Sequence, residues 1–109
     1  MNDSPHCRVS VAEAHRLLRA GEAVLVDVRE ADEFRAGHVP GARHVPLSQS
    51  LPDGRDMILI CRSGNRSRHA VALLAARGVA AVDVIGGMRD WAAQGLPVED
   101  AYGATGVVI

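Results

Sequence analysis

Met57-Ile58-Leu59-Ile60 is apolar at every position and stops at Cys61-Arg62-Ser63-Gly64-Asn65-Arg66-Ser67, after which Ala70, Val71, Leu74 and Ala75 recur at helical spacing through residues 66–77. A strand without a polar face has to be covered on both sides, which calls for a mainly parallel sheet between helix layers. Other segments agree. Ser10 and Glu13 form a capping-box pattern ahead of Val11, Ala14, Leu17 and Leu18, and Gly21 ends a helix predicted over 11–20. Residues 23–28 read as a second buried strand, 31–36 as a short helix stopped by Gly37, and 42–45 as a short strand between Pro40 and Pro46. Residues 48–55 read as loop. Beyond Gly78, residues 79–85 supply a further strand that ends at Gly86-Gly87, and a last helix covers about 88–94. The expectation is an α/β fold, with a tail over 99–109 that lacks any period and is frayed or loosely packed.

Strand, glycine-containing loop and helix in succession place the Cys61 thiol where unpaired backbone N–H groups converge. Ligands of parallel sheets bind outside the carboxyl ends of the strands, and Cys61 occupies that end of a central strand. Arg62 and Arg66 add positive charge beside it, so the nucleophilic thiolate should be populated at neutral pH. The competing reading is an inert core thiol. A core cysteine belongs inside an apolar run, however, whereas Cys61 ends one and precedes six residues without a large apolar side chain.

The chain has 109 residues, enough for a single domain over 1–109 with one modest core, and its formal net charge is -1. Its arginines are interspersed with acidic residues, which argues against a nucleic-acid surface or a membrane patch and for a small substrate. Two cysteines, Cys7 and Cys61, form no disulfide or ligand pattern, as expected of a reducing compartment. The polar first ten residues lack the basic and apolar stretches of a secretory signal, so a cytoplasmic location is expected. No apolar run approaches the roughly 20 residues of a membrane helix.

Four stretches then stand in order: Asp27-Val28-Arg29-Glu30; Glu33-Phe34-Arg35-Ala36-Gly37-His38-Val39-Pro40-Gly41-Ala42; the Cys61 loop; and Gly86-Gly87-Met88-Arg89-Asp90-Trp91. Together they resemble the single-domain rhodaneses, thiosulfate-type sulfurtransferases, over nearly the whole chain from about Val9 to Val98. The resemblance implies a five-stranded, mainly parallel sheet flanked by helices. It implies Cys61 as the sulfur-carrying nucleophile and Arg62, Ser63, Gly64, Asn65, Arg66 and Ser67 as the loop around the bound sulfur, with no cofactor. In the implied cycle Cys61 takes the outer sulfur of thiosulfate and yields it to cyanide or a thiol, which can belong to a protein. Arg62, Arg66 and the loop amides would offset the repulsion between thiolate and dianion.

Cysteine phosphatases and arsenate reductases of related fold are the enzymatic rivals. Their loop is one residue longer before the anion-clamping arginine, so Ser67 stands in that arginine's place, and Ile60 precedes the cysteine where such phosphatases usually have histidine. A persulfide-carrying relay or regulatory module with slow turnover would share every residue named so far. Asp27 and Arg29 can support the site but read more readily as a structural ion pair that caps the next turn. His38 reads as a turn histidine bonding backbone, and His69, two turns into the helix after Cys61, as surface. His38, His44, His69 and Cys61 lack metal-ligand spacing, so no metal is expected. Trp91, the single tryptophan, should anchor the last helix to the core. Cys7 reads as an incidental exposed thiol.

Overall fold

The structure, a computed structural model, describes residues 8–109. Cys7 lies outside the described residues. Five strands, β1 (Arg8–Val9), β2 (Val24–Asp27), β3 (Arg43–His44), β4 (Met57–Ile60) and β5 (Val82–Val84), form one sheet in the order β1-β5-β4-β2-β3, and every recorded pairing is parallel. Four helices, α1 (Val11–Arg19), α2 (Ala31–Ala36), α3 (Asn65–Ala76) and α4 (Gly87–Ala93), connect and cover it. The expected α/β sheet is therefore present, and β4 is its middle strand.

Why β4 carries no polar residue is visible in the two cores. Ile58 and Ile60 pack on one face with Val11, Ala14, Leu25, Val84, Met88 and Trp91, beneath α1 and α4. Met57, Leu59 and Cys61 pack on the other with Val26, Val28, Ala70, Val71 and Leu74, beneath α3. Alternate side chains of one strand thus feed two separate cores. Trp91 is 1% exposed and its indole N–H donates to Pro97 O at 2.9 Å, the anchoring role expected of it. At the start of α1, Ser10 Oγ accepts from Glu13 N at 3.0 Å, as the capping pattern requires.

Ahead of α1, β1 pairs with β5, setting Arg8 against Asp83 and Val9 against Val84. One expectation needs correction, because the tail is not loose. His38 and Glu99 exchange both backbone hydrogen bonds at 2.9 Å, Val107 N donates to Ala36 O at 2.9 Å, and Val108 packs against the larger core. Main-chain pairing with residues 36–38 orders this segment, and such pairing leaves no amphipathic period in the sequence.

The register fixes the position of the site. Asp27 lies opposite Ile60 on one side and His44 on the other, so the carboxyl ends of β2, β3 and β4 are level and their following loops meet at one end of the sheet.

Candidate active site

Cys61 follows the last residue of β4 and is fully buried. Its Sγ accepts hydrogen bonds from Gly64 N at 3.1 Å and Ser67 N at 3.3 Å, and Ser67 Oγ lies 3.3 Å away. Gly64 stands at φ 102°, a left-handed conformation that turns its N–H inward and costs little only for glycine. The loop closes at the start of α3, whose first-turn N–H groups have no intrahelical acceptors and add positive potential toward the sulfur.

The first two carbonyls of the loop are taken up by α4. Met88 N donates to Cys61 O at 2.8 Å and Arg89 N to Arg62 O at 2.9 Å. Gly87 makes this approach possible. It has φ 57°, and a Cβ there would overlap Cys61 O and come within 2.8 Å of Arg62 O. The Gly86-Gly87 pair is therefore more than a turn, since it is the surface against which the cysteine loop rests.

Of the other residues predicted for the site, Ser63 and Asn65 are exposed on the loop, Gly64 and Ser67 are buried within it, and Arg62 is exposed with its Nε donating to Ile109 O at 3.0 Å. Arg66 is committed elsewhere. Both of its Nη atoms donate to the Glu33 carboxylate at 2.8 Å, so part of the charge expected for an incoming anion is already balanced by α2. These bonds, with a further one from Glu30 N, hold the Glu33 carboxyl down at about 2, and the same pairing raises the Arg66 guanidinium above its usual value.

Asp27 and Arg29 form a fully buried ion pair, with Arg29 Nη2 to Asp27 Oδ2 at 2.8 Å and Arg29 N to Asp27 Oδ1 at 3.0 Å. Arg29 Nη2 also donates to Gly37 O at 2.6 Å, and His44 Nε2 meets Arg29 O at 2.8 Å. This network ties the turn after β2 to the end of α2, and neither side chain bonds the cysteine loop. Phe34 is stacked between His38 and His44 at centroid distances of 3.9 and 4.2 Å, and His38 Nδ1 meets Phe34 O at 2.7 Å. His69 is exposed. Among the described residues no three His, Cys, Asp or Glu side chains form a group able to hold a metal ion, and no helix is long and apolar enough to cross a membrane.

Three residues near the loop escaped the sequence reading: Arg8, Glu33 and Asp83. Ser67 Oγ donates to Asp83 Oδ2 at 2.9 Å, and Arg8 holds that carboxylate at 3.0 Å. Asp83 had left a signal, because an aspartate between two valines of a buried strand requires a partner.

Chemically, the arrangement is a buried thiol whose sulfur accepts from two backbone donors, with Arg62 and Arg66 on the same loop. The family model described as Rhodanese-like domain matches residues 10–94. The chain is 37% identical over 105 residues to the thiosulfate sulfurtransferase GlpE of Pseudomonas putida, covering 89% of this chain and 94% of that one. A human single-domain sulfurtransferase, TSTD1, superimposes with a TM-score of 0.70 at 29% identity, covering 80% of this chain and 96% of the other. A rhodanese-related protein from Thermoplasma volcanium does so with a TM-score of 0.76 at 29% identity, covering 85% and 97%. Two further curated relatives are longer: the chain spans 46% of an HTH-type transcriptional regulator of Mycobacterium tuberculosis and 40% of the putative sulfur carrier protein YrkF of Bacillus subtilis.

Proposed function

The chain belongs to the rhodanese-like domain family, and from that premise we propose that it is a sulfurtransferase carrying sulfane sulfur from thiosulfate to cyanide or a thiol on Cys61. The observation that carries the reading is the pair of backbone donors on Cys61 Sγ, from Gly64 and Ser67, at the end of the middle strand. In the first half-reaction the thiolate attacks the outer sulfur of thiosulfate, the S–S bond breaks, and sulfite leaves with the electron pair. In the second, the acceptor attacks the outer sulfur of the persulfide and Sγ departs as thiolate, again with the bonding pair. The two amides stabilise the thiolate, which populates the nucleophile for the first step, and in the second they receive the charge that returns to Sγ, which lowers the barrier to its departure. Arg62 and Arg66 assist the approach of the dianion, Arg66 with only the part of its charge that Glu33 leaves unbalanced.

Phosphate chemistry fits this loop poorly. Where a related phosphatase has its anion-clamping arginine, Ser67 stands here, its hydroxyl spent on Asp83 at 2.9 Å, so the loop lacks the side chain that would clamp a phosphoryl group. A relay reading is favoured by one observation, the match to part of a larger sulfur carrier protein, in which the acceptor would be a protein thiol.

Initial rates of thiocyanate formation over a grid of thiosulfate and cyanide concentrations test the proposal. Parallel double-reciprocal lines are expected of a persulfide formed before the acceptor binds. Intersecting lines would refute that intermediate, and absence of thiocyanate alongside hydrolysis of p-nitrophenyl phosphate would replace the reading with a phosphatase.

A further inference from the structure

Arg8 lies on β1, at one edge of the sheet, yet its guanidinium reaches the sulfur loop. Its Nε and Nη2 hold the two Asp83 carboxylate oxygens at 3.0 and 3.1 Å, and Nη2 donates as well to Gly64 O at 3.1 Å. Asp83, 1% exposed, accepts from Ser67 Oγ through its Oδ2. Gly64 and Ser67 are the two residues whose amides donate to Cys61 Sγ. Each hydrogen bond at the sulfur therefore comes from a residue that Arg8 holds, either directly or through Asp83. A Cβ at Gly64 would come within 2.9 Å of Arg8 Nη2, so a side chain there would push the guanidinium from its place as well as strain a backbone at φ 102°. The Arg8 side chain is 26% exposed and that of Asp83 1%, so the attraction within the pair is offset by the desolvation of Asp83.

We propose that Arg8 and Asp83 are positioning residues for sulfur transfer, fixing through Gly64 and Ser67 the donors that receive charge on Sγ as it leaves the outer sulfur. The proposal rests on the persulfide reading above. The Arg8 guanidinium is raised above its ordinary value, first by its bond to Asp83 and further by negative charge on Cys61, which places it within the field of the sulfur. The charged groups facing Cys61 are Arg8 from β1, Asp83 from β5 and Arg66 of α3 paired with Glu33 of α2, with the Asp27–Arg29 pair at the end of β2.

The test loads the full chain, Arg8→Met, Ser67→Ala and the double variant with thiosulfate, then follows discharge of the persulfide by saturating cyanide in a single turnover. The rate constant per loaded site is insensitive to the fraction of protein that folded. Displacing oriented donors should slow discharge about tenfold in each single variant. The double variant should lose no more than the slower single, because both changes act along one line of contacts. Rates within twofold of the parent, or losses that multiply in the double, would overturn the proposal. Arg8→Lys keeps the charge but cannot bridge Gly64 O and both carboxylate oxygens, so it should fall between parent and Arg8→Met and decides the matter if Arg8→Met does not fold. Alkylation of the unloaded proteins by iodoacetamide needs no sulfur donor. Its rate at neutral pH should fall severalfold in Arg8→Met, because the donors that favour the thiolate are displaced and Asp83 is left uncompensated beside it. An unchanged rate would refute the positioning role even in a protein that took up no sulfur, whereas failure of the parent alone to take up sulfur would refute the transfer reading.

Discussion

Neutralising Glu33 should cost stability in a way that depends on pH. Glu33→Gln keeps the oxygen that accepts from Glu30 N at 3.0 Å, so the change removes charge rather than the local cap. The folded carboxyl is held at about 2 from an ordinary 4.5, mainly by the two 2.8 Å bonds from Arg66. At about 1.4 kcal/mol per pH unit, that depression is worth at most roughly 3.4 kcal/mol. Arg66 is 41% exposed on its side chain, so solvent screens the pair, and about 1 to 2 kcal/mol is the expected loss at neutral pH. The sign follows from linkage. A carboxyl depressed in the folded state contributes fully above its unfolded value of 4.5, and the contribution is lost as pH falls through about 2. Urea unfolding of parent and variant at pH 7, 5, 3 and 2 measures this directly. The difference should be largest at pH 7 and 5 and shrink toward pH 2; a difference that is absent at pH 7, or equally large at pH 2, would refute the reasoning.

Other changes have equally definite consequences. Arg29→Met leaves Asp27 charged and unpaired in a fully buried site, and chemical denaturation should show a loss of about 3 to 5 kcal/mol. Gly87→Ala drives a methyl into the backbone of Cys61 and Arg62, so sulfur transfer should fall at least about tenfold while circular dichroism retains the α/β signature. Arg62→Ala and Arg66→Ala should mainly raise the KM for thiosulfate, each by the equivalent of about 1.5 to 3 kcal/mol, with cyanide kinetics less affected; unchanged thiosulfate kinetics in both would remove the arginines from donor binding.

The parallel sheet was legible because β2 and β4 are apolar on both faces, a pattern that leaves few alternatives to helices on each side. The position of the cysteine loop followed from the abrupt end of Met57–Ile60. What escaped was either very short or long-range. β1 is two residues long and begins with an arginine, too little for any period to register. Glu33 and Arg66 are separated by 33 residues, and nothing in either segment names the other as its partner. The Arg8–Asp83 pair spans 75 residues, although the buried aspartate in β5 announced that some cation had to reach it. The tail gave no periodic signal, because its order derives from main-chain bonds to residues 36–38, an approach that needs glycine at Gly37 and Gly106, where a Cβ would overlap backbone atoms.

The central claim is that Cys61 carries sulfur. Intact mass after incubation with thiosulfate, repeated after addition of cyanide and run beside Cys61→Ser, tests it most directly. The parent should gain the mass of one sulfur atom and lose it again to cyanide with release of thiocyanate, while Cys61→Ser, still folded, gains nothing. No gain on the parent, or an equal gain on Cys61→Ser, would contradict the account.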